Sequence, residues 1–466
     1  MQTTESDRRL LRLTERQERI LVDTISRVPS SIVVGVCGVH RPKEGGARLY
    51  LVHEVHATVD PGLDTFDEGK THSILASVIK RVHRLGAAVF VAFVPDSRND
   101  HRVNSSSHVH ADWLMKIRKA SLDAGVDHLQ LELFDDRVDI AELFTPVSDQ
   151  PCRTSIRVIG SQIHIRDDNE AVPIRAFAES TQQIFGSRTM AILSRLTVGV
   201  VGCSGTGSPI IEMLTRLGVG RLILVDEDRI EERNLNRIYG TTADDAGRSK
   251  VDVLRDHVER IGLGTVVDAI PTMLSDPRAI SAIAQCDAVF GCMDSIDGRN
   301  LLNRLATFYL VAYLDVGVRL EPNGEGGLDQ VCGSVNYLIP GGSSLLSRGL
   351  YTAEQLAAVA TRAADPDGYA ALVREGYLAG VDEPRPAVIS INTMVASLAI
   401  NELLARLHPF RDEDNDQFAK VTITLSQMRL MVDDPEGPPC PALVRFAGRG
   451  DAKPMLGMPQ LSMEAV

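Results

Sequence analysis

The chain has 466 residues, 49 of them basic and 62 acidic, for a formal net charge of −13, with 44% hydrophobic and 24% charged residues. That length predicts two or three domains with ample core, and the acidic balance argues against a nucleic-acid groove or a nucleic-acid partner. There is no run of about 18 apolar residues and the first residues are charged (SDRRLLRLTERQER), so no membrane span and no signal peptide are expected. Cysteines 37, 152, 203, 286, 292, 332 and 440 are odd in number and scattered, which implies no disulfide framework and a reducing, cytoplasmic setting.

The first 28 residues begin with a polar helix whose apolar positions Leu10, Leu13, Ile20 and Leu21 recur at helical spacing. Residues 31–38 (SIVVGVCG) form a β-rich run, and 48–59 alternate like a half-buried strand. A helix over 73–85, a buried strand over 88–94, a helix over 112–124 and a strand over 128–133 complete an α/β domain spanning residues 1–145. His108, His110 and Asp112 stand at alternate positions and could ligate a metal. They also follow a serine-rich turn, where His and Asp are ordinary helix-start residues. Residues 146–172, with Pro146, Pro151, Gly160 and an acidic end, read as a linker holding a short strand pair.

The organising stretch is 196–250. An apolar β run over 196–201 enters a turn with Gly202, Gly205 and Gly207. An amphipathic helix follows, with Ile210, Ile211, Leu214 and Leu217 on its apolar stripe. A second strand, 222–225, ends in Asp226. This is a βαβ nucleotide-binding unit. Gly202 makes the sharp turn, while Gly205 and Gly207 let the backbone approach a phosphate and the helix approach the sheet. The helix N-terminus offers free N–H groups to an anion, and Asp226 is placed for ribose hydroxyls. The glycines and the acid alone would suit an NAD dehydrogenase. Asp228, Asn234, Arg237 and Lys250 after them suit instead a site that manages charge on the α-phosphate and a departing pyrophosphate. The doubly wound pattern continues through a helix from 250 to 262, strands at 266–270, 288–291 and 312–316, and helices at 277–286 and 298–309. Asp294 falls at a strand's C-terminal end, where a carboxylate can bind Mg²⁺ together with phosphates.

With those residues the chain resembles the ThiF/MoeB-type adenylating enzymes, which are similar to ubiquitin-activating enzymes. Cys292-Met293-Asp294, followed by Arg299-Asn300, is similar to that family's "C-T-D-N…R-N" strand end. The resemblance runs over residues 175–409. It implies ATP and Mg²⁺ as cofactors and a homodimer. It also gives Lys250 to the α-phosphate, Arg237 to the β- and γ-phosphates, Asn234 to the phosphates, Asp226 to the ribose and Asp294 to magnesium. An Arg on the helix before the first strand reaches the partner's ATP in that family; Arg175 is the candidate, with Val172 one turn away as the alternative register. The family's structural zinc needs two Cys-x-x-Cys pairs. This chain has Ser344 and Ser347 at the first, and Cys440 with Leu443 at the second, so no structural zinc is expected.

The first domain's order of elements resembles the JAB/MPN fold, whose active members are zinc peptidases that remove ubiquitin-like tags. Ala92 and Val94 stand where its two histidine ligands would be, residues 29–31 hold no early Glu, and Asp112 stands alone. The resemblance therefore implies a JAB-like domain without the peptidase site. The fold class expected is α/β: a smaller JAB-like α/β domain at 1–145, a linker at 146–172, a doubly wound Rossmann-like adenylation domain at 173–450 and a flexible tail at 451–466.

Adenylation of a carboxylate needs no general base, because the nucleophile is already ionised; position and positive charge suffice. Among the cysteines, Cys332 is the candidate for a later thioester, since a loop after the sheet can bring a thiol near an adenylate. Three functions are open. One is activation of the C-terminus of a ubiquitin-like protein, with or without transfer to a thiol and a conjugating enzyme. Another is adenylation of a small-molecule or tRNA-linked carboxylate. The third is a non-catalytic ATP-binding scaffold.

Overall fold

The computed structural model describes residues 9–27, 31–43, 46–59, 68–95, 106–167, 175–323, 325, 327–365, 367, 369, 387–433 and 437–462. The chain divides into two compact units. The first holds residues 1–169, 308–310 and 446–466, and the second holds 170–307 and 311–445.

The first unit is built on strands β1 (Arg9–Thr14), β2 (Ile32–His40), β3 (Arg48–Val59), β4 (Ala88–Phe93), β5 (His128–Phe134), β6 (Arg137–Thr145), β7 (Ser148–Arg153), β8 (Ser155–Ile159) and β9 (Ile163–Arg166), with helices α1 (Glu15–Arg27), α2 (Glu68–Leu85) and α3 (Ser106–Asp123). The strands form one nine-stranded mixed sheet in the order β7-β6-β5-β4-β2-β3-β1-β8-β9. Both faces of its centre are covered. Val33, Cys37, Phe90 and Ala92 pack with Leu21 and Ile25 of α1, whereas Val34, Val36, Val89 and Val91 pack with Val78 of α2 and Trp113 of α3. Strands buried on both faces read as unbroken apolar runs, which is why β2 and β4 stand out in the sequence.

Three expectations change here. Leu10 and Leu13 lie in a strand, not a helix: β1 pairs in parallel with β3 and β8, and only from Glu15 does the chain turn helical. A short apolar run fits either period until its partners are known. Residues 148–166 are not a linker, since β7, β8 and β9 extend the sheet at both edges. The tail is ordered as far as Ser462 in short 3₁₀ turns, with Ala452 and Leu456 buried in the unit. Hydrogen bonds hold that segment. His53 Nδ1 meets the Ala447 carbonyl at 2.8 Å, and Asp451 donates its N–H to Val39 O at 3.0 Å. The Asp451 carboxylate meets His40 Nδ1 at 2.8 Å and accepts from the Arg41 N–H and the Tyr309 hydroxyl, both at 3.0 Å. As for the possible metal ligands, the side chains of His108 and His110 lie outside the described residues, while Asp112 pairs with Lys116 at 2.9 Å one helical turn on.

The second unit starts with α4 (Glu179–Leu193) and then alternates: β10 (Thr197–Val201), α5 (Gly207–Arg216), β11 (Arg221–Val225), α6 (Lys250–Ile261), β12 (Val266–Ile270), α7 (Pro277–Ala284), β13 (Ala288–Gly291), α8 (Ile296–Tyr309) and β14 (Ala312–Pro322). Antiparallel strands β15 (Leu328–Leu338), β16 (Lys420–Thr424) and β17 (Arg429–Asp433) follow, with α9 (Ala353–Ala364) and α10 (Ile389–Leu407) between β15 and β16. The sheet order is β12-β11-β10-β13-β14-β15-β16-β17, parallel through β14. Counted from β10, its parallel part runs 3-2-1-4-5, so the chain reverses direction between β10 and β13. In such sheets ligands collect at that point, beyond the carboxyl ends of the strands. The strand read at 312–316 runs on to Pro322 and pairs with β15 as a long antiparallel hairpin. Its Asn323-Gly turn and polar alternation hid that extension and β15. No helix among the described residues is long and apolar enough to cross a membrane.

Burial alone would raise the Asp451 carboxyl, but His40, the Arg41 N–H and the Tyr309 hydroxyl more than offset it and hold it below the usual range. A depressed acid contributes stability above its unfolded pKa and loses it as pH falls through the folded value. The C-terminal segment is therefore expected to stay protected from hydrogen exchange at neutral pH and to loosen only below about pH 4. Asp451→Ala should bring the same loosening of residues 447–452 to pH 7 without opening β2 or β4.

Candidate active site

Gly202 follows β10 with φ +89°, a backbone region that suits glycine. A Cβ there would lie 2.8 Å from the Cys292 carbonyl, because the end of β13 runs alongside. A Cβ on Gly207 would overlap the Gly202 carbonyl oxygen, and one on Gly205 would overlap the Asn392 amide at the start of α10. The three glycines thus have steric reasons, and they leave α5 with an open first turn. Its N-cap, Thr206, makes no side-chain cap. The N–H groups of Ser204, Gly205, Thr206 and Gly207 have no acceptor among the described residues. Four free donors at the positive end of a helix dipole form a cradle for an anion.

Asp226 ends β11 beside this cradle. It accepts the Cys203 N–H at 2.7 Å and the Asp228 N–H at 2.9 Å. Its side chain is only 8% exposed. Burial pushes its carboxyl above the usual range, against the pull of Lys250 and the two N–H donors. The loop after β11 then pairs with the entry to α6: Ile230 N–H to Arg248 O at 2.8 Å, and Lys250 N–H to Asp228 O at 3.1 Å. That pairing draws the nearly buried Lys250 ammonium to 2.7 Å from Asp228 and 3.7 Å from Asp226. Between these two segments, Asn234 caps its own turn by accepting the Glu231 N–H at 2.9 Å. Tyr239 ties the loop to α5 and α10 through Ser208 and Thr393, at 3.0 and 3.1 Å. Arg237 sits over the glycine turn, its Cδ 3.6 Å from where a Gly205 Cβ would be, and donates to Arg233 O at 2.9 Å.

Asp294 is exposed in the loop between β13 and α8. Among the described residues no cluster of three or more His, Cys, Asp or Glu side chains could hold a metal. Ser344 and Ser347 turn their hydroxyls on each other's backbone: Ser347 Oγ accepts the Ser344 N–H at 2.8 Å, and Ser344 Oγ accepts the Ser347 N–H at 3.0 Å. Cys440 is buried beside them, its N–H bonded to Gly342 O at 2.8 Å.

The structure therefore brings together Gly202, Gly205, Gly207, Asp226, Asp228, Asn234, Arg237 and Lys250, with Asp294 on the adjoining strand end. It does not bring Arg175 there. Arg175 donates to the Leu263 carbonyl in the loop before β12, at the opposite edge of the sheet. Cys332 lies on β15 opposite Arg319, four residues past Asp315, where the parallel pairing ends. At about 3.3 Å per residue it stands about 13 Å beyond that end. It is half-buried, and burial raises its thiol. Burial pushes Cys292 up to about 12 and also holds the Cys203 thiol well above the ordinary thiol range. Asn392, whose amide lies where a Gly205 Cβ would fall, is a residue that sequence reasoning missed: it is one of two asparagines in a helix that also carries Glu402 and Arg406, and nothing in that pattern singles it out.

An open doubly wound sheet with an anion cradle, an acid and a lysine at its switch point is the layout of a nucleotide-binding protein. A family model described as the ThiF family matches residues 177–442, more than half of the chain, and the chain belongs to that family. Ubiquitin-like modifier-activating enzyme 5 of Caenorhabditis elegans is 31% identical over 156 residues, which cover 31% of this chain and 35% of that protein. The sulfur carrier protein adenylyltransferase of Thermus thermophilus is 33% identical over 114 residues, 24% of this chain and 42% of that one. The chain thus spans between a third and a half of the length of these curated relatives. A crystal structure of E. coli MccB with ATP is similar over 58% of this chain and 74% of that one, at 16% identity and a TM-score of 0.45.

Gly207→Ala should destabilise the second unit by about 1–3 kcal/mol, the usual cost of forcing atoms into a closed turn. The check is urea unfolding, where the midpoint should fall with the slope unchanged.

Proposed function

We propose that the chain adenylates a carboxylate with ATP, and that this carboxylate is the C-terminus of a ubiquitin-like or sulfur-carrier protein. The observation that carries the reading is the cradle of four free N–H groups lying beside Asp226 and the buried Lys250. The names of the matched relatives support the choice of substrate.

The residues present fit ATP. The cradle takes phosphate oxygens, and Asp226, already fixed by two backbone donors, accepts from ribose hydroxyls. Lys250 and Arg237 supply positive charge where the phosphates lie, and Asn234 holds the loop that carries Arg237 in place. A carboxylate oxygen of the substrate attacks the α-phosphorus, the bond to the β-phosphate oxygen breaks, and pyrophosphate leaves with the electron pair. Lys250, held in a nearly dry site, stabilises charge on the α-phosphate more than it would in water. Mg²⁺ usually takes one or two carboxylates and completes its shell with phosphates and water. A single Asp294 therefore fits it, and the metal when bound supplies neutralising charge to the phosphates.

A thiolate, of Cys332 or of a conjugating partner, then attacks the acyl carbonyl, the acyl–phosphate C–O bond breaks, and AMP leaves as the thioester forms. Cys332→Ala separates the two: a thiol-sensitive adduct that persists in the variant removes Cys332. The unit acts as a homodimer, in line with exposed Phe177, Ile184, Ile389 and Phe410 on its surface. Arg175 serves the partner's site there, if it leaves the Leu263 carbonyl. The first unit is a JAB-like docking module without a peptidase site, and the protein works in the cytoplasm.

ATP–pyrophosphate exchange tests the reaction. With a glycine-ended carrier protein as substrate, exchange is expected, and Lys250→Ala should lower it about 10²–10³-fold, as loss of one oxyanion donor does. Exchange absent with every carboxylate tried would leave only nucleotide binding, and exchange that requires tRNA would move the substrate to a tRNA-linked acid.

A further inference from the structure

Arg299 belongs to the first turn of α8, just past Asp294. Its side chain is 19% exposed, and its ion partner is Asp315, 3.1 Å from Nε. That approach lacks hydrogen-bond alignment, so the buried Nε has no hydrogen-bond partner. No N–H of the guanidinium makes a hydrogen bond among the described residues. An arginine serving only as a clamp between helix and strand would present its fork to the carboxylate in two aligned bonds. Asp315, fully buried, is satisfied by others: Tyr313 OH at 3.2 Å and Asn336 Nδ2 at 3.3 Å. Asn336 Oδ1, also fully buried, has no partner. An unused donor set and an unused acceptor thus flank one carboxylate at the ligand edge of the sheet. The guanidinium can lie there because residue 317 is glycine, whose Cβ would come within 3.0 Å of Arg299 Nη2.

The place of this group in the sheet decides which anion it meets. The cradle, Asp226 and Lys250 are carried by β10, β11 and the segments after them. Arg299 leans on β14, two strands from β10 on the other side of the switch point, about 10 Å away at the usual strand spacing. An in-line attack on the α-phosphorus requires the incoming carboxylate opposite the leaving pyrophosphate. We infer that Arg299, backed by Asp315, is the group that receives the carboxylate end of the acyl substrate and holds its oxygen during transfer. This rests on the adenylation reading above. A planar guanidinium with free donors in a partly dry site is the side chain best matched to a carboxylate.

The test uses the full chain and two probes: ATP itself, and a non-reactive acyl-adenylate mimic, N-acetylglycyl sulfamoyl adenosine, with AMP as its acyl-free control. Affinities are measured by calorimetry. Wild type should bind ATP and prefer the mimic to AMP. Arg299→Gln should lose about tenfold or more of that preference, the scale of one charge-assisted hydrogen bond, with ATP affinity unchanged. Arg299→Lys keeps a charge against Asp315 and so guards against misfolding. It should keep ATP affinity and recover part of the preference. If wild type does not bind ATP, the adenylation reading itself fails. If wild type binds ATP but shows no preference for the mimic, there is no acyl site and the inference is overturned. It is likewise overturned if Arg299→Lys weakens ATP and the mimic equally, which would make Arg299 a phosphate ligand, or if neither variant changes either affinity.

Discussion

The second unit depends on the placement of a lysine ammonium inside the sheet's carboxyl edge. Lys250 is nearly buried, and its charge is compensated by Asp228 and, further off, Asp226. Removing two such charges from water costs several kcal/mol per ion unless geometry and hydrogen bonds compensate. Here the acid that lies deepest is the one whose carboxyl is pushed up by burial, so the pairing is not optimised for stability of the free chain. An arrangement of this kind is favourable when a further anion and hydroxyls arrive. The free N–H groups of the α5 turn are its counterpart on the other side: donors that cost stability while they lack acceptors. Strain and orphan groups of this sort concentrate at functional sites.

Everything around that point is arranged to keep it rigid. Gly202 and Gly207 close the turn so tightly that a side chain at either would strike backbone. The two segments flanking the 231–249 loop pair with each other, and Tyr239 pins the loop to α5 and α10. The site is therefore assembled from one βαβ unit, one loop and the start of one later helix. Arg299 and Asp315 extend the same edge by two strands.

The sheet's parallel core was legible because short apolar strands and amphipathic helices alternate from 196 to 316, each carrying its own period. The nucleotide residues were legible for a different reason: they stand within one continuous stretch, so spacing alone brings them near. What failed depended on partners distant in sequence. Leu10 and Leu13 fit a helical period until β3 and β8 claim them. Residues 148–166 hold Pro151 and Gly160 and lie between Pro146 and an acidic run, which suggests a linker, yet they pair with strands at both sheet edges. The last residues look unstructured because their contacts are backbone hydrogen bonds to β2 and a carboxylate reaching His40, neither of which leaves a pattern. Arg299 stood in the motif after Asp294, but its contact with Asp315 two strands away left no pattern, and Asn392 is one of two asparagines in its helix; only the fold shows what each faces.

The central claim is that the switch point between β10 and β13 is where ATP is held. Hydrogen–deuterium exchange of the full chain, with and without ATP and Mg²⁺, tests it most directly. The account predicts that ATP slows exchange at the amides of residues 203–208 and 228–237, while β15 to β17 and the first unit stay unchanged. Binding with no added protection at residues 203–208, or protection confined to the opposite edge near Arg175 and Leu263, would contradict it.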